Sequence, residues 1–315
     1  MLGIGGRGLT SLQRFGVFED VVKASTNVPG RKDWTPQSEE GVERMITDRK
    51  FTPMVLPRDK LVSVLHQHIV DNYSTRVHLN YGYQVRPQDF SAGDDGTSVV
   101  VQIAKMGADE QSWTDISANL VIAADGSART FANQMEQEDR ANGAANPFSV
   151  TRYEDDNKRI YKTIPFRIPS DWRKDMNYSV RSKGDRVTFD ALPANDKGDY
   201  VGLLLLRSDD EMAQANVDPD KFQDFLDEVI PQFSRLINRE TIETTAKQPP
   251  SFLPCFRYVG PRLHQGKRTV LLGDCAHTVK PYFGMGANSA LEDVKVRSPI
   301  LLRLRLIREP RLWPC

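Results

Sequence analysis

The sequence predicts an α/β protein with a second part built on an antiparallel sheet. The runs LVIAA (120–124) and TVLLGD (269–274) are short, continuously apolar and end in Asp125-Gly126 and Gly273-Asp274. Continuous apolarity without alternation is what a strand covered on both faces looks like. The carboxyl edge of such strands is where open α/β sheets hold ligands. From about Val150 to Arg207 the pattern changes: RIYKTIPFRI, MNYSVRS, RVTFDALP and DYVGLLLL alternate residue by residue. A period of two predicts strands of a sheet with one exposed face.

The bulk numbers exclude several classes. A chain of 315 residues is long enough to divide into two domains. Lys plus Arg equals Asp plus Glu at 42 each, so no net field favours nucleic acid or an anionic membrane. Cys255, Cys275 and Cys315 form no C-x-x-C and no zinc spacing, which fits a reducing intracellular compartment without a disulfide framework. No apolar stretch approaches the roughly 18 residues that span a bilayer, and the N-terminus is not a signal peptide. No metal site and no Ser–His–Asp arrangement is expected.

The chain opens MLGIGGRGLTSLQRFG, where Gly3, Gly5 and Gly8 match G-x-G-x-x-G. A dinucleotide turn needs a strand before the glycines and an acidic residue closing a second strand about 20 residues on. Only Met1 and Leu2 stand in front, and VKASTNVPGRKDWTP reads as loop. The spacing is therefore expected to be a coincidence. RGLTSLQRFGVFEDVVKA carries Leu9, Leu12, Phe15, Val17, Phe18, Val21 and Val22 at mostly helical spacing. Val42 to Leu56 reads as extended or hairpin structure. Pro57-Arg58-Asp59 starts a helix with Leu61, Val64, Leu65 and Ile69 on one face. A strand pair is expected at Val77 to Val85 and Ser98 to Ile103, around SAGDDGT. Pro219 to Ile237 is predicted helical with a break at Pro231, and a Pro-rich connector spans Gln248 to Pro254. The tail KVRSPILLRLRLIREPRLWPC alternates Leu and Arg with no apolar face at helical spacing.

The chemistry concentrates in TVLLGDCAHTVKPYFGMGANSALEDV. Asp274 at a strand end is placed to accept hydrogen bonds from sugar hydroxyls. Gly284 and Gly286 let backbone approach a flat ligand just before a helix beginning near Ala287 and Asn288. Free N–H groups and about half a unit of positive charge at that helix start suit the N1–C2=O edge of a flavin. The plain reading is a strand–loop–helix connection with two turn glycines.

GDCAHTVKPYFGMGANSALEDV resembles the GD motif of the class A FAD-dependent aromatic monooxygenases (hydroxylases). LVIAADGSARTFAN resembles the family's DG motif with a shortened Gly-to-Arg spacing, and TPMVLPRDKLVSVLHQH is similar to its Arg-x-x-Leu segment. Within the family, ERMI (43–46), FDALPANDKGDYVGLLLL and PYFGMGAN resemble the kynurenine 3-monooxygenase branch. The resemblance implies an FAD-binding, Rossmann-like domain of the p-hydroxybenzoate-hydroxylase type, lacking its first βαβ unit, at 1–130 and 269–294. It also implies a substrate domain at 131–268 and an aberrant tail at 295–315. FAD is the implied cofactor and NADPH the co-substrate; the implied partners are O2 and a small aromatic substrate.

Carried over residue by residue, the resemblance gives Arg58 the FAD phosphate region, against a surface Arg at a helix start. It gives Val85 a backbone contact near the adenine, against core packing. Asp125 and Gly126 would organise the cofactor, against a plain strand-end turn. Asp274 would bind the ribityl chain, with Pro281, Gly284, Gly286, Ala287 and Asn288 at the isoalloxazine. Arg44 would grip a substrate carboxylate, with Tyr282 and Phe283 beside the substrate; the tyrosine that the kynurenine branch carries after Phe51 and Thr52 is replaced by PMV. His277 and Cys275 read as structural, so no catalytic side chain is expected. Two alternatives stand beside this reading: a non-catalytic fragment of such an enzyme, and a related flavin monooxygenase with another substrate.

Overall fold

The computed structural model describes residues 1–47, 50–93, 96–107, 112–154, 159–182, 186–280 and 284–303. The chain runs β1 (Leu2–Ile4), α1 (Gly6–Arg14), α2 (Phe18–Ala24), β2 (Thr26–Asn27), β3 (Gly30–Trp34), β4 (Val42–Met45), β5 (Met54–Leu56) and α3 (Arg58–Tyr73). Next come β6 (Tyr83–Ala92), β7 (Ser98–Lys105), β8 (Thr114–Ala118), β9 (Val121–Ala123), α4 (Thr130–Ala141) and β10 (Ser149–Arg152). Strands β11 (Arg159–Arg167), β12 (Met176–Arg181), β13 (Val187–Pro193) and β14 (Asp199–Arg207) precede helices α5 (Pro219–Val229), α6 (Pro231–Ser234) and α7 (Arg239–Lys247). The chain continues through β15 (Ser251–Phe252), β16 (Arg257–Gly260), β17 (His264–Gln265), β18 (Thr269–Leu271), β19 (His277–Thr278) and α8 (Met285–Arg303). Two compact units form, Met1–His68 with Asp155–Leu253 and Ile69–Glu154 with Pro254–Cys315. These boundaries differ from the expected 1–130 and 269–294 against 131–268: residues 1–68 pack with the alternating block.

The first unit is organised by a seven-stranded sheet in the order β15-β11-β14-β13-β12-β3-β4. Only β12 and β3 run parallel; the other pairs are antiparallel. Alternation in sequence becomes alternation in burial. Ile160, Ile164, Phe166, Val187, Phe189, Ala191, Tyr200, Leu204 and Leu206 share one core with Phe222, Phe225, Leu226, Phe233 and Ile242 of α5–α7. Gly202 is required by close approach, because a Cβ there would overlap the Phe189 ring. Helix α5 starts where Asp218 accepts from the N–H groups of Asp220 and Lys221 with Pro219 in the first turn, and it ends before Pro231, as expected. α7, capped by Asn238, is an element that the sequence reading missed.

Three expectations are corrected in this unit. The stretch read as loop holds β2 and β3, and β3 (GRKDW) lies inside the large sheet with Trp34 stacked on Trp172 at 5.4 Å. Its polar residues hid a strand that tertiary pairing creates. The long helix expected after Gly8 is two helices separated at Gly16, which has a φ of +72°. A short strand does form at the motif, with Gly3 inside it and Gly5 and Gly8 after it, but β1 pairs antiparallel with β5, which pairs antiparallel with β2. A dinucleotide turn sits in a parallel βαβ unit, so this strand–glycine–helix corner is not one.

The second unit holds three small sheets, β6-β7-β8, β10-β16-β19 and β17-β18-β9. β18 and β9, the two apolar runs, pair in parallel, Val270 opposite Ile122. Ala123 and Leu271 enter a core with Phe90, Phe131, Met135 and Phe148. Ile122 is 45% exposed, so β9 is covered on one face rather than two. The strand expected at Val77 to Val85 begins instead at Tyr83. α8 continues into the tail as far as Arg303. Among the described residues no helix is long and apolar enough to cross a membrane.

Lys162 is the polar exception in the first core. Its side chain on β11 is buried, and Nζ donates to the carbonyls of Gln214 (2.7 Å), Thr245 (3.1 Å) and Ala246 (3.3 Å). Burial pulls its pKa down to about 8. Between pH 8 and the ordinary lysine range the unfolded chain therefore binds more protons than the folded one, and stability rises with pH. Denaturant unfolding at pH 7.5 and pH 10 should show wild type gaining about 2 kcal/mol on Lys162→Met across that interval. A constant difference would mean that Lys162 stays charged throughout.

Candidate functional site

The described part of the site is a corner of the second unit where two turns meet. After β9 the chain makes a tight turn at Asp125-Gly126, with Gly126 at a φ of +66° and open space where its Cβ would lie. After β18 it makes a second at Gly273-Asp274-Cys275, with Gly273 at a φ of +68°. Both conformations favour glycine. Parallel pairing of β9 and β18 brings the DG and GD turns together, and Arg129 ties them.

Arg129 is buried in a left-handed conformation, φ +54°. Its Nη1 donates to Ser127 O (3.0 Å), and its Nη2 donates to Asp274 O (2.7 Å) and to the Thr278 hydroxyl. Thr278 in turn donates to Asp274 O at 2.9 Å. The backbone of Asp274 is thus fixed twice, while its half-buried carboxylate makes no hydrogen bond or ion pair among the described residues. Asp274 Oδ1 lies 3.9 Å from where a Cβ on Gly286 would sit, beside the first turn of α8. Asp125 Oδ2 accepts from the Phe131 N–H at 3.3 Å, and its Oδ1 is buried without a partner.

A second clamp holds the GD turn to α8. Asp293 Oδ2 accepts from the Gly273 N–H at 2.8 Å and from His277 Nε2 at 2.7 Å. His277 and Cys275 both bond within and beneath the turn. Cys275 Sγ donates to Ala123 O and Leu272 O, and burial pushes its thiol up to about 12. Cys255 is exposed. No group of three or more His, Cys, Asp or Glu among the described residues is set to hold a metal ion.

The expected site residues divide between the units. Asp125, Gly126, Asp274, Gly284, Gly286, Ala287 and Asn288 belong to the second unit. Gly284 is exposed at a φ of +61°, and the buried Asn288 side chain donates back to Gly284 O at 2.7 Å. Val85 lies in β6 opposite Ile103 and is 44% exposed, so the core-packing alternative is excluded. Arg58, the exposed first residue of α3, and Arg44, exposed on β4 opposite Arg31, belong to the first unit. Pro281, Tyr282 and Phe283 lie outside the described residues. The sequence reading named the Arg of the DG motif but gave it no role; its burial beside two Asp-Gly turns emerges only in three dimensions.

The family described as FAD binding domain matches residues 2–298. The chain belongs to that family. Among FAD-binding relatives, kynurenine 3-monooxygenase of Salinispora tropica is 26% identical over 296 residues, 94% of this chain and 61% of its own length. Kynurenine 3-monooxygenase of Aspergillus oryzae is 32% identical over 136 residues, 42% of this chain and 26% of its own length. The chain thus spans 61% of the length of the Salinispora relative. A solved 2-methyl-3-hydroxypyridine-5-carboxylic acid oxygenase has a TM-score of 0.65 at 15% identity, covering 92% of this chain and 68% of that one. The p-nitrophenol 4-monooxygenase of Pseudomonas putida has a TM-score of 0.65 at 15% identity, covering 96% and 70%. The chain shares the fold of class A flavin monooxygenases.

The Asp293 clamp generates a pH prediction. The carboxylate raises the pKa of His277, so this pair's stabilisation is complete below the ordinary histidine value near 6.5 and is lost as pH rises through the folded value. Asp293→Asn keeps an acceptor for Gly273 and removes the charge. Its melting temperature should fall below wild type at pH 5.5, and the gap should narrow by pH 8.5, corresponding to about 1 kcal/mol.

Proposed function

We propose that the chain carries the flavin-holding corner and the substrate sheet of an NAD(P)H-using monooxygenase that hydroxylates a small aromatic substrate, of the kynurenine 3-monooxygenase kind. The observation that carries this is the Asp274 carboxylate, its backbone fixed, with no hydrogen bond or ion pair among the described residues and beside Gly286 at the start of α8. A carboxylate in that state accepts from ribityl hydroxyls without breaking an existing bond. The amides of Gly286, Ala287 and Asn288 would face the isoalloxazine, where a helix N-terminus favours negative charge. The orphaned Asp125 Oδ1 and the open side of Gly126 suit a further polar ligand group. The residues present therefore fit FAD.

Further roles rest on the resemblance alone. Arg58 would pair with FAD phosphate, the Val85 backbone would meet the adenine side, and Pro281 would shape the loop. Arg44 would bind a substrate carboxylate, with Tyr282 and Phe283 at the ring. When bound, FAD takes reducing equivalents from NADPH and supplies the oxygen-transfer chemistry with O2. This chain's residues bind and orient the cofactor and stabilise charge upon it.

The test is purification of the chain and titration with FAD, followed by flavin absorbance. Binding is expected, with Asp274→Ala weakening it about tenfold or more, since hydrogen bonds to a charged acceptor are lost. NADPH oxidation stimulated by L-kynurenine over other aromatics supports the kynurenine reading, and stimulation by another aromatic alone assigns a different substrate. A colourless protein that ignores added FAD overturns the proposal for this chain and leaves the fragment reading.

A further inference from the structure

The loop between β3 and β4 closes over a cavity on the helix-covered side of the large sheet. Trp34 of β3 enters the core under α5–α7. Side chains alternate along a strand, so Lys32 shares that side while Arg31 and Asp33 take the other. The cavity holds about 430 Å³, within the range of small-molecule sites. Lys32 of β3, Glu39 and Glu40 of the loop, half-buried Trp172, and Arg235 at the end of α6 line it, all within the first unit. The loop itself is firmly held. Gln232 Nε2 donates to the carbonyls of Thr35 (3.1 Å), Pro36 (3.5 Å) and Ser38 (2.8 Å). Ser38 Oγ donates to Thr35 O and accepts from the Thr35 N–H, both at 2.9 Å. At the far end Gly41 presses its backbone on Trp34, where a Cβ would overlap the indole. A rim fixed in this way loses little freedom when a ligand arrives.

Charges of both signs meet at this rim without neutralising one another. Lys32 Nζ lies over the Trp34 ring, 5.1 Å from its centroid. The carboxylate directly across the strands, Glu43, is taken by Arg173 at 3.1 Å. Among the described residues, Lys32, Arg235, Glu39 and Glu40 form no ion pair or hydrogen bond with one another, although all four border one cavity. The cations come from the frame, β3 and the residue that follows α6; the carboxylates come from the loop. The two signs are therefore carried by different elements. A cleft lined by fixed charge concentrates ligands of complementary charge.

We propose that this cavity is a small-molecule site for a free α-amino acid with a large apolar side chain. The ligand's carboxylate meets Lys32 and Arg235, its ammonium meets Glu39 and Glu40, and its side chain lies along Trp172. A ligand of one charge would satisfy one sign and leave the other facing it; a zwitterion complements both. The aromatic wall adds apolar contact at little cost in side-chain entropy. The site is separate from the flavin corner, which belongs to the second unit. It is also on the opposite side of the sheet from Arg44, which pairs across the strands with Arg31 rather than with Lys32. Nothing in the inference depends on the monooxygenase reading.

The test is titration calorimetry on the full chain with three probes that share a phenyl ring. L-Phenylalanine carries both charges, 3-phenylpropanoate lacks the ammonium, and 2-phenylethylamine lacks the carboxylate. L-Phenylalanine should bind about tenfold tighter than either analogue. Lys32→Gln, Arg235→Gln, and Glu39→Gln combined with Glu40→Gln should each weaken it about three- to tenfold, as charge pairs at a partly open rim do. Their melting temperatures should stay near wild type, because none of these side chains is in the core. Arg44→Met should leave L-phenylalanine binding unchanged. No binding of L-phenylalanine, equal binding of either analogue, or indifference to all the rim changes would overturn the proposal and leave the four charges to solvent. Weakening by Arg44→Met alone would put the ligand on the other side of the sheet and overturn it as well. Binding that persists in protein that takes up no FAD supports this site and counts only against the flavin reading.

Discussion

A buried guanidinium holds together the corner of the second unit where the DG and GD turns meet. Arg129 stands at the meeting of two turns that are far apart in sequence, and its donors reach Ser127 O, Asp274 O and Thr278 Oγ1. A left-handed backbone at a bulky residue is strained by about 1 kcal/mol or more, and it persists because these bonds fix it from several directions. The shortened spacing between Gly126 and Arg129 makes Arg129 the N-cap of α4. One residue therefore closes the DG turn, begins the helix and pins the backbone of Asp274.

The first unit works by division of faces. One side of its large sheet is filled by aromatic and branched residues under α5–α7, where Phe189 lies over Gly202 and Trp34 stacks on Trp172. The other side alternates through Arg31, Asp33, Asn177, Ser179 and Asp190, residues that no core would choose. The same period of two that drives folding on one face thus leaves polar side chains on the other.

Legibility in the sequence followed the source of the ordering. The alternating strands β11–β14, the break at Pro231 and the strand character of LVIAA and TVLLGD were readable because period and punctuation are local, whereas the parallel pairing of those two runs appears only in the fold. Strand β3 was not, since GRKDW has no apolar pattern until β12 and β4 flank it. Asp274 and Gly286 were readable as a motif and are neighbours in space; Arg129 carried no role until burial gave it one. The G-x-G-x-x-G spacing was rightly set aside, although a short strand does form there.

The two described cysteines occupy opposite extremes. Cys275 lies sealed beneath β9 with its proton held at any physiological pH, whereas Cys255 meets solvent in the connector before β16. Thiol chemistry depends on the thiolate and on access. In a Cys315→Ser background, a maleimide dye or spin probe would therefore report from Cys255 while the thiol behind the GD turn stays silent.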